Sequence, residues 1–191
     1  MNATAFHRTG ISIIVAGAAF LAACADDAPT GANRRLALPD SGTESRAVDL
    51  GVCSDLRAPA GSKLAFHVYA AGVQIYHWNG TGWTFDGPSA TLSADAAGKS
   101  TVGIHYAGPT WESNSGGKVV GSISKRCQPD PNAIAWLLLT AVSDGPGIFH
   151  RVTHIQRVNT VGGNAPSDRG TVVGEEARVP YTTEYLFYRA H

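Results

Sequence analysis

Alternation of apolar and polar residues is the dominant pattern of the chain beyond about residue 60. Between Lys63 and Tyr69, for example, every second residue is large and apolar. A period of two predicts β-strands with one buried face. Glycine, proline, aspartate or asparagine separates such segments. The candidate strands span 63–69, 73–78, 83–85, 89–93, 100–107, 118–124, 134–142, 148–158, 171–179 and 185–188.

About nine or ten short strands at this spacing predict an all-β antiparallel sandwich or barrel-like domain. The run 135–142 is continuously apolar and is also compatible with a buried helix. Pro131 before this run and the Asp144–Gly147 stretch after it favour a central strand.

The first 24 residues have the pattern of an export sequence. Arg8 precedes an uncharged stretch, 11–23, which is shorter than the roughly 18 residues that span a bilayer. The segment Leu21-Ala22-Ala23-Cys24 resembles a bacterial lipobox, in which the Cys is acylated and becomes the first residue. An ordinary secretory cleavage site near by is the alternative. We therefore expect a lipoprotein signal peptide over 1–23, a lipidated Cys24 with a flexible tether over 24–51, and a β-rich domain over 52–191.

The charge balance narrows the classes of partner. The 191 residues contain 15 Lys and Arg against 15 Asp and Glu, with the two signs interspersed. Nucleic acid is not an expected partner, because binding phosphates requires clustered basic residues. The expected partner is the lipid bilayer, reached through acylated Cys24. Since Ala25 rather than Asp follows the Cys, resemblance to envelope lipoproteins implies the outer membrane or periplasmic face rather than the inner membrane.

Two further cysteines, Cys53 and Cys127, fall within the predicted domain. In an oxidising envelope they are candidates for a disulfide, which would close a loop of about 75 residues and stabilise the domain by roughly 4 kcal/mol. The sequence alone does not show that they meet.

Five motifs together resemble an uncharacterised family of secreted bacterial and fungal proteins, catalogued as domain of unknown function 3455. They are GVQIY at 72–76, GIHYAGPTWE at 103–112, WLLL at 136–139, IQRVNTVGGNAP at 155–166, and VPY at 179–181 followed by YLFY at 185–188. The resemblance covers about 64–188 and implies no established activity or catalytic residue. Members of the family often have Cys at the position of Trp78 and another shortly after the GGNAP motif. This chain has neither, so the resemblance does not support a Cys53–Cys127 pair.

The segment 103–112 predicts a hairpin with candidate chemistry. If 107–110 is a four-residue turn, His105 lies opposite Glu112 on the face away from Val102 and Ile104, with Trp111 near by. One interpretation is a His–Glu ligand site, and the other is a polar pair that stiffens the hairpin. Arg157 and Asn159 are further ligand candidates, whose alternatives are a salt bridge and a turn-capping hydrogen bond.

No metal site or cofactor is predicted. His150 and His154 are four residues apart, but their neighbours favour a strand, where the two rings would lie about 13 Å apart. A site assembled from His67, His77, His105 and one of His150 and His154 stays open as an alternative. Ser122 and Lys125 match a Ser-x-x-Lys pattern, but on a strand they would point to opposite faces.

Three functions follow from these observations. The leading hypothesis is a noncatalytic envelope module that binds a polysaccharide or peptide. The alternative is a secreted hydrolase that uses His105 and Glu112, and the third is a structural lipoprotein whose Trp residues are all buried. Aromatic side chains are candidate stacking surfaces for a ligand: Tyr76, Trp78, Trp83, Trp111 and Tyr181.

Overall fold

The computed structural model describes residues 48–190 and shows an all-β domain. Cys24, the predicted signal peptide and most of the predicted tether lie outside the described residues. Eight strands form one closed antiparallel barrel in which each strand pairs with the next and the last returns to the first. The strands are β1 (Ser62–Trp78), β2 (Trp83–Ser93), β3 (Thr101–Tyr106), β4 (Thr110–Ser113), β5 (Lys118–Cys127), β6 (Trp136–Asp144), β7 (Val152–Gly162) and β8 (Glu176–Ala190).

The barrel confirms the predicted fold class, with fewer and longer strands than the sequence pattern suggested. Gly72, which the sequence pattern places in a break between two strands, lies inside β1. Only glycine fits there, because an added Cβ would be 2.2 Å from the carbonyl oxygen of Ser89 on β2. The run 136–144 is a strand, not a helix. Residues 148–151 form a turn, and residues 171–175 lie before β8 rather than in a strand.

The two ends of the barrel interior differ. At the end where β1 begins and β8 finishes, Phe66, Phe149 and Phe187 pack together, with ring centroids 4.6–5.6 Å apart. These rings fill the interior there. At the other end the β1–β2, β3–β4, β5–β6 and β7–β8 connections meet, and the interior widens into a cavity.

A short N-terminal segment packs on the outside of the barrel. The 3₁₀ helix Gly51–Leu56 buries Cys53 and Leu56 against Leu138, which points outward from β6. Gln156 donates a hydrogen bond to the Leu56 carbonyl, with an N···O distance of 2.6 Å. Cys53 forms a disulfide with Cys127 at the end of β5. The sequence alone did not show whether these cysteines pair, and the structure shows that they do. The bond joins the start of the domain to the end of the barrel that holds the cavity.

Among residues 48–190, no helix is both long and apolar enough to span a membrane.

Candidate functional site

The candidate site is a cavity of about 500 Å³ inside the barrel. This volume falls within the range of roughly 300–1,000 Å³ that is typical of small-molecule pockets. Its inner wall consists of buried side chains from several strands, among them His105, Trp111, Leu139 and Tyr185. Its mouth is lined by exposed residues: Phe85, Asp86, Ile123, Arg126 and Gln128. Solvent therefore reaches the cavity from one end of the barrel.

The β3–β4 hairpin aims His105 into the barrel. His105 pairs with Trp111 and Ile104 pairs with Glu112, because the connection has three residues, 107–109. The predicted four-residue turn is wrong by one residue, which reverses the face of every side chain on one strand relative to the other. Ile104, expected in the core, is 47% exposed, whereas His105 is 3% exposed.

Glu112 lies on the outer surface of the barrel. Its carboxylate accepts a hydrogen bond from the Tyr106 hydroxyl at 2.8 Å, and both groups are exposed. The predicted pairing of His105 with Glu112 is therefore wrong, and so is the assignment of the two residues to one site. The hydrolase alternative depended on that pairing.

His105 is held as a neutral ring. Its Nδ1 lies 2.8 Å from the Thr110 carbonyl oxygen and donates to it, which leaves Nε2 as an acceptor. The ring stacks on Trp111 with centroids 4.3 Å apart. Burial lowers the pKa of His105 to about 3, the hydrogen bond to Thr110 opposes this shift, and the positive charge of Arg157 adds to it. A ring that resists protonation to this extent is a poor general base at neutral pH.

Arg157 is the charged group of the inner wall. It lies on β7, is partly buried, and pairs across the sheet with Leu137 and Tyr185. Its Nε and Nη2 donate to the Ala135 carbonyl oxygen at 3.0 and 2.8 Å. No carboxylate within residues 48–190 forms an ion pair with it. The salt bridge that was the alternative interpretation of Arg157 is therefore absent among these residues, and the Ala135 carbonyl positions its side chain.

A cluster of buried polar side chains surrounds Arg157, and of its members sequence reasoning named only Tyr181, as a candidate stacking surface. Tyr181 is buried and is not among the residues that line the cavity. Gln74, Tyr181 and Tyr185 are at most 3% exposed, and the Gln74 Nε2 and both hydroxyls lack a hydrogen bond of good geometry to another described protein group. Burial raises the pKa of Tyr185, and Arg157 and Tyr181 oppose that rise, so these groups lie close together. Only the alternation within β1 and β8 indicated that they face inward. Locating them around Arg157 required the barrel closure.

Asn159 does not reach the cavity. It lies at the bulge of β7 with a φ of 52°, a left-handed conformation that asparagine tolerates better than most residues. Its side chain donates to Glu184 on the exposed surface at 3.1 Å. Of the five candidate ligand residues, the structure thus brings together His105, Trp111 and Arg157, and it places Glu112 and Asn159 elsewhere.

The remaining aromatic candidates divide between the cavity and one loop. Tyr76 lines the cavity and donates to the Gly163 carbonyl at 2.7 Å. The Trp78 and Trp83 rings contact each other, with centroids 5.5 Å apart. The Trp83 indole N–H donates to the Asp168 carbonyl, so this pair fixes the β7–β8 connection. Trp78 and Trp111 are buried, whereas Trp83 and Trp136 are partly exposed. The tryptophans are therefore not uniformly core residues.

The described residues show no metal-binding cluster. Within 48–190, no group of three His, Cys, Asp or Glu side chains lies close enough to hold an ion. His67 and His77 lie on β1, while His105 lies inside the barrel on β3.

Comparison with known proteins agrees with the resemblance carried by the sequence motifs. Residues 59–189 match the family model described as "Protein of unknown function (DUF3455)". No curated protein and no solved structure matches the chain. Because the match covers more than half of the chain, the protein belongs to this family of proteins of unknown function.

Proposed function

We propose that the protein is a noncatalytic binding module of the bacterial cell envelope that holds a small molecule inside its barrel. The observation that carries this proposal is the cavity of about 500 Å³ that opens at one end of the closed barrel. Eight-stranded barrels are wide enough either to be filled by their own side chains or to hold one small ligand. Here the three phenylalanines fill one end, and the other end is left for a ligand.

The walls of the cavity match the composition of small-molecule sites. Apolar and aromatic side chains predominate, including Tyr76, Leu137 and Leu139, and a few polar groups converge among them. A cavity of this volume that opens at one end of the barrel favours a small molecule, or the end of a sugar or peptide chain, over the extended polymer that the sequence suggested as ligand. The low pKa of His105 and the position of Glu112 on the outer surface of the barrel support binding rather than acid–base catalysis.

An envelope location, at the outer membrane or periplasmic face, completes the proposal. It rests on the lipobox-like segment Leu21–Cys24, which lies outside the described residues. The Cys53–Cys127 disulfide supports it, because such bonds persist in oxidising compartments such as the periplasm. Intact mass of protein extracted from membranes tests this part: we expect a chain that begins at an acylated Cys24. A mature chain without lipid would overturn the anchoring.

The binding itself can be tested with N-phenyl-1-naphthylamine, an uncharged apolar fluorophore. We expect saturable fluorescence enhancement with one site per chain. Ile123→Trp should weaken binding because Ile123 lines the mouth, whereas Ser122→Trp should not, since Ser122 is exposed and outside the cavity. Absence of saturable binding to folded protein, or equal loss in both variants, would overturn the proposal.

A further inference from the structure

We propose that the natural ligand is a small organic anion whose acidic group binds Arg157 and whose apolar body fills the mouth of the cavity. This inference rests on the proposed function and specifies its ligand class. A carboxylate fits best, because the guanidinium is a planar fork that matches two carboxylate oxygens.

The charge of Arg157 has no counterion among the described residues. A partly buried guanidinium loses hydration, and the hydrogen bonds that Arg157 donates to the Ala135 carbonyl leave its charge unneutralised, because that partner is neutral. A charge removed from water is costly unless it is paired. An anionic ligand would supply that pairing, which gives binding an electrostatic contribution that a neutral ligand lacks.

The titratable groups near Arg157 do not neutralise its charge. Burial raises the pKa of Tyr76 and Tyr181, so both are neutral phenols, and His105 is a neutral ring. The positive charge of Arg157 opposes the rise at each tyrosine, so it acts on both hydroxyl groups. Among the described residues that line the cavity, the only acidic one is Asp86, which lies at the mouth.

The two other charged residues of the cavity lie at its mouth and are of opposite sign. Asp86 and Arg126 are both exposed, so water screens them. The cavity therefore carries one net positive charge, and it is located on the inner wall.

The mouth provides an apolar surface for the rest of the ligand. Phe85 is 50% exposed and Ile123 is 45% exposed, although both point toward the cavity rather than the outer surface. Phe85 contacts Tyr76 with ring centroids 5.5 Å apart. An apolar ligand body would cover these side chains, whereas a fully polar sugar would leave them with hydrophilic neighbours.

Two fluorophores that differ by one group test the inference. 8-Anilino-1-naphthalenesulfonate is N-phenyl-1-naphthylamine with a sulfonate added, so the affinity ratio reports the contribution of the negative charge. We expect the sulfonate to bind the wild-type protein about ten- to a hundredfold more tightly, as for a hydrogen bond to a charged group. Octanoate should likewise displace it at lower concentration than octanamide does.

Variants locate the effect. Arg157→Gln should reduce the affinity ratio to about one, and Arg157→Lys should keep part of it. The matched control is Arg178→Gln, because Arg178 is exposed and pairs with Glu176 outside the cavity. If Arg157→Gln does not fold, the competition between octanoate and octanamide on wild-type protein still tests whether the ligand is an anion.

The outcomes separate the two proposals. Equal affinity for the two fluorophores, with saturable binding of both, would overturn the anion class and leave the binding function standing. A preference for the sulfonate that survives in Arg157→Gln would overturn the role of Arg157. Saturable binding of neither fluorophore would overturn the proposed function itself.

Discussion

Acidification should destabilise the barrel through His105. The folded protein keeps this ring neutral with a pKa of about 3, whereas the unfolded chain protonates it near the ordinary value of about 6.5. Below pH 6.5 the unfolded state therefore binds more protons than the folded state. The contribution to stability is complete above pH 6.5 and is lost progressively as the pH falls toward 3.

The size of the effect follows from these two pKa values. Between pH 7.5 and pH 5, linkage gives a loss of about 2 kcal/mol in the free energy of unfolding from this one side chain. For a domain of about 140 residues, that is a decrease of roughly 6–8 °C in melting temperature. Burial of His154 lowers the pKa of that residue as well, so its contribution has the same sign.

The assay compares denaturant unfolding at the two pH values in wild-type protein and in His105→Phe. The variant keeps an aromatic ring against Trp111 and removes the titrating group, so its pH-dependent loss should be smaller by about 2 kcal/mol. His150→Gln is the control, because His150 is an exposed turn residue. The same pH-dependent loss in wild type and His105→Phe would refute the assignment of a buried, neutral His105.

Three further predictions concern the framework of the barrel. Replacing Cys53 and Cys127 together with Ala should reduce the free energy of unfolding by about 4 kcal/mol, since the bond joins residues 74 positions apart in the sequence. Chemical denaturation should show this loss, and a loss below about 1 kcal/mol would contradict a stabilising disulfide. Gly121→Val should reduce the free energy of unfolding by about 1–3 kcal/mol and weaken fluorophore binding, because an added Cβ would lie 3.0 Å from the Trp111 ring. Unchanged stability would argue against this contact. Glu112→Gln should leave fluorophore affinity unchanged and lower the pKa of Tyr106, which the hydrogen bond to Glu112 raises. A change in affinity would show that Glu112 contributes to the binding site.

The sequence was sufficient for the fold class but not for the pairing of strands. Alternation identified most strand segments, and the small size of Gly72 suggested a break. In the barrel the same small size permits close approach to β2 within one long strand. A glycine between two apolar segments is compatible with both outcomes until its neighbour across the sheet is known.

The candidate site shows the same limit more sharply. A three-residue connection over 107–109 and a four-residue connection over 107–110 are both compatible with the sequence. The one-residue difference decides whether His105 faces Glu112 or the interior. The sequence indicated Arg157 as a candidate ligand residue. Its lack of a counterion was not, because that depends on which side chains of the other strands share the cavity.

The most direct test of the account is a ¹H–¹⁵N NMR titration of the protein with octanoate. The Trp111 indole lies in the cavity wall, and the Trp83 indole lies outside the cavity, where it is bonded to the Asp168 carbonyl. We predict saturable shifts of the Trp111 Nε1–H and Arg157 Nε–H signals, with little change at Trp83. Octanoate that leaves the Trp111 and Arg157 signals in place, or moves Trp83 equally, would contradict an anion-binding cavity inside the barrel.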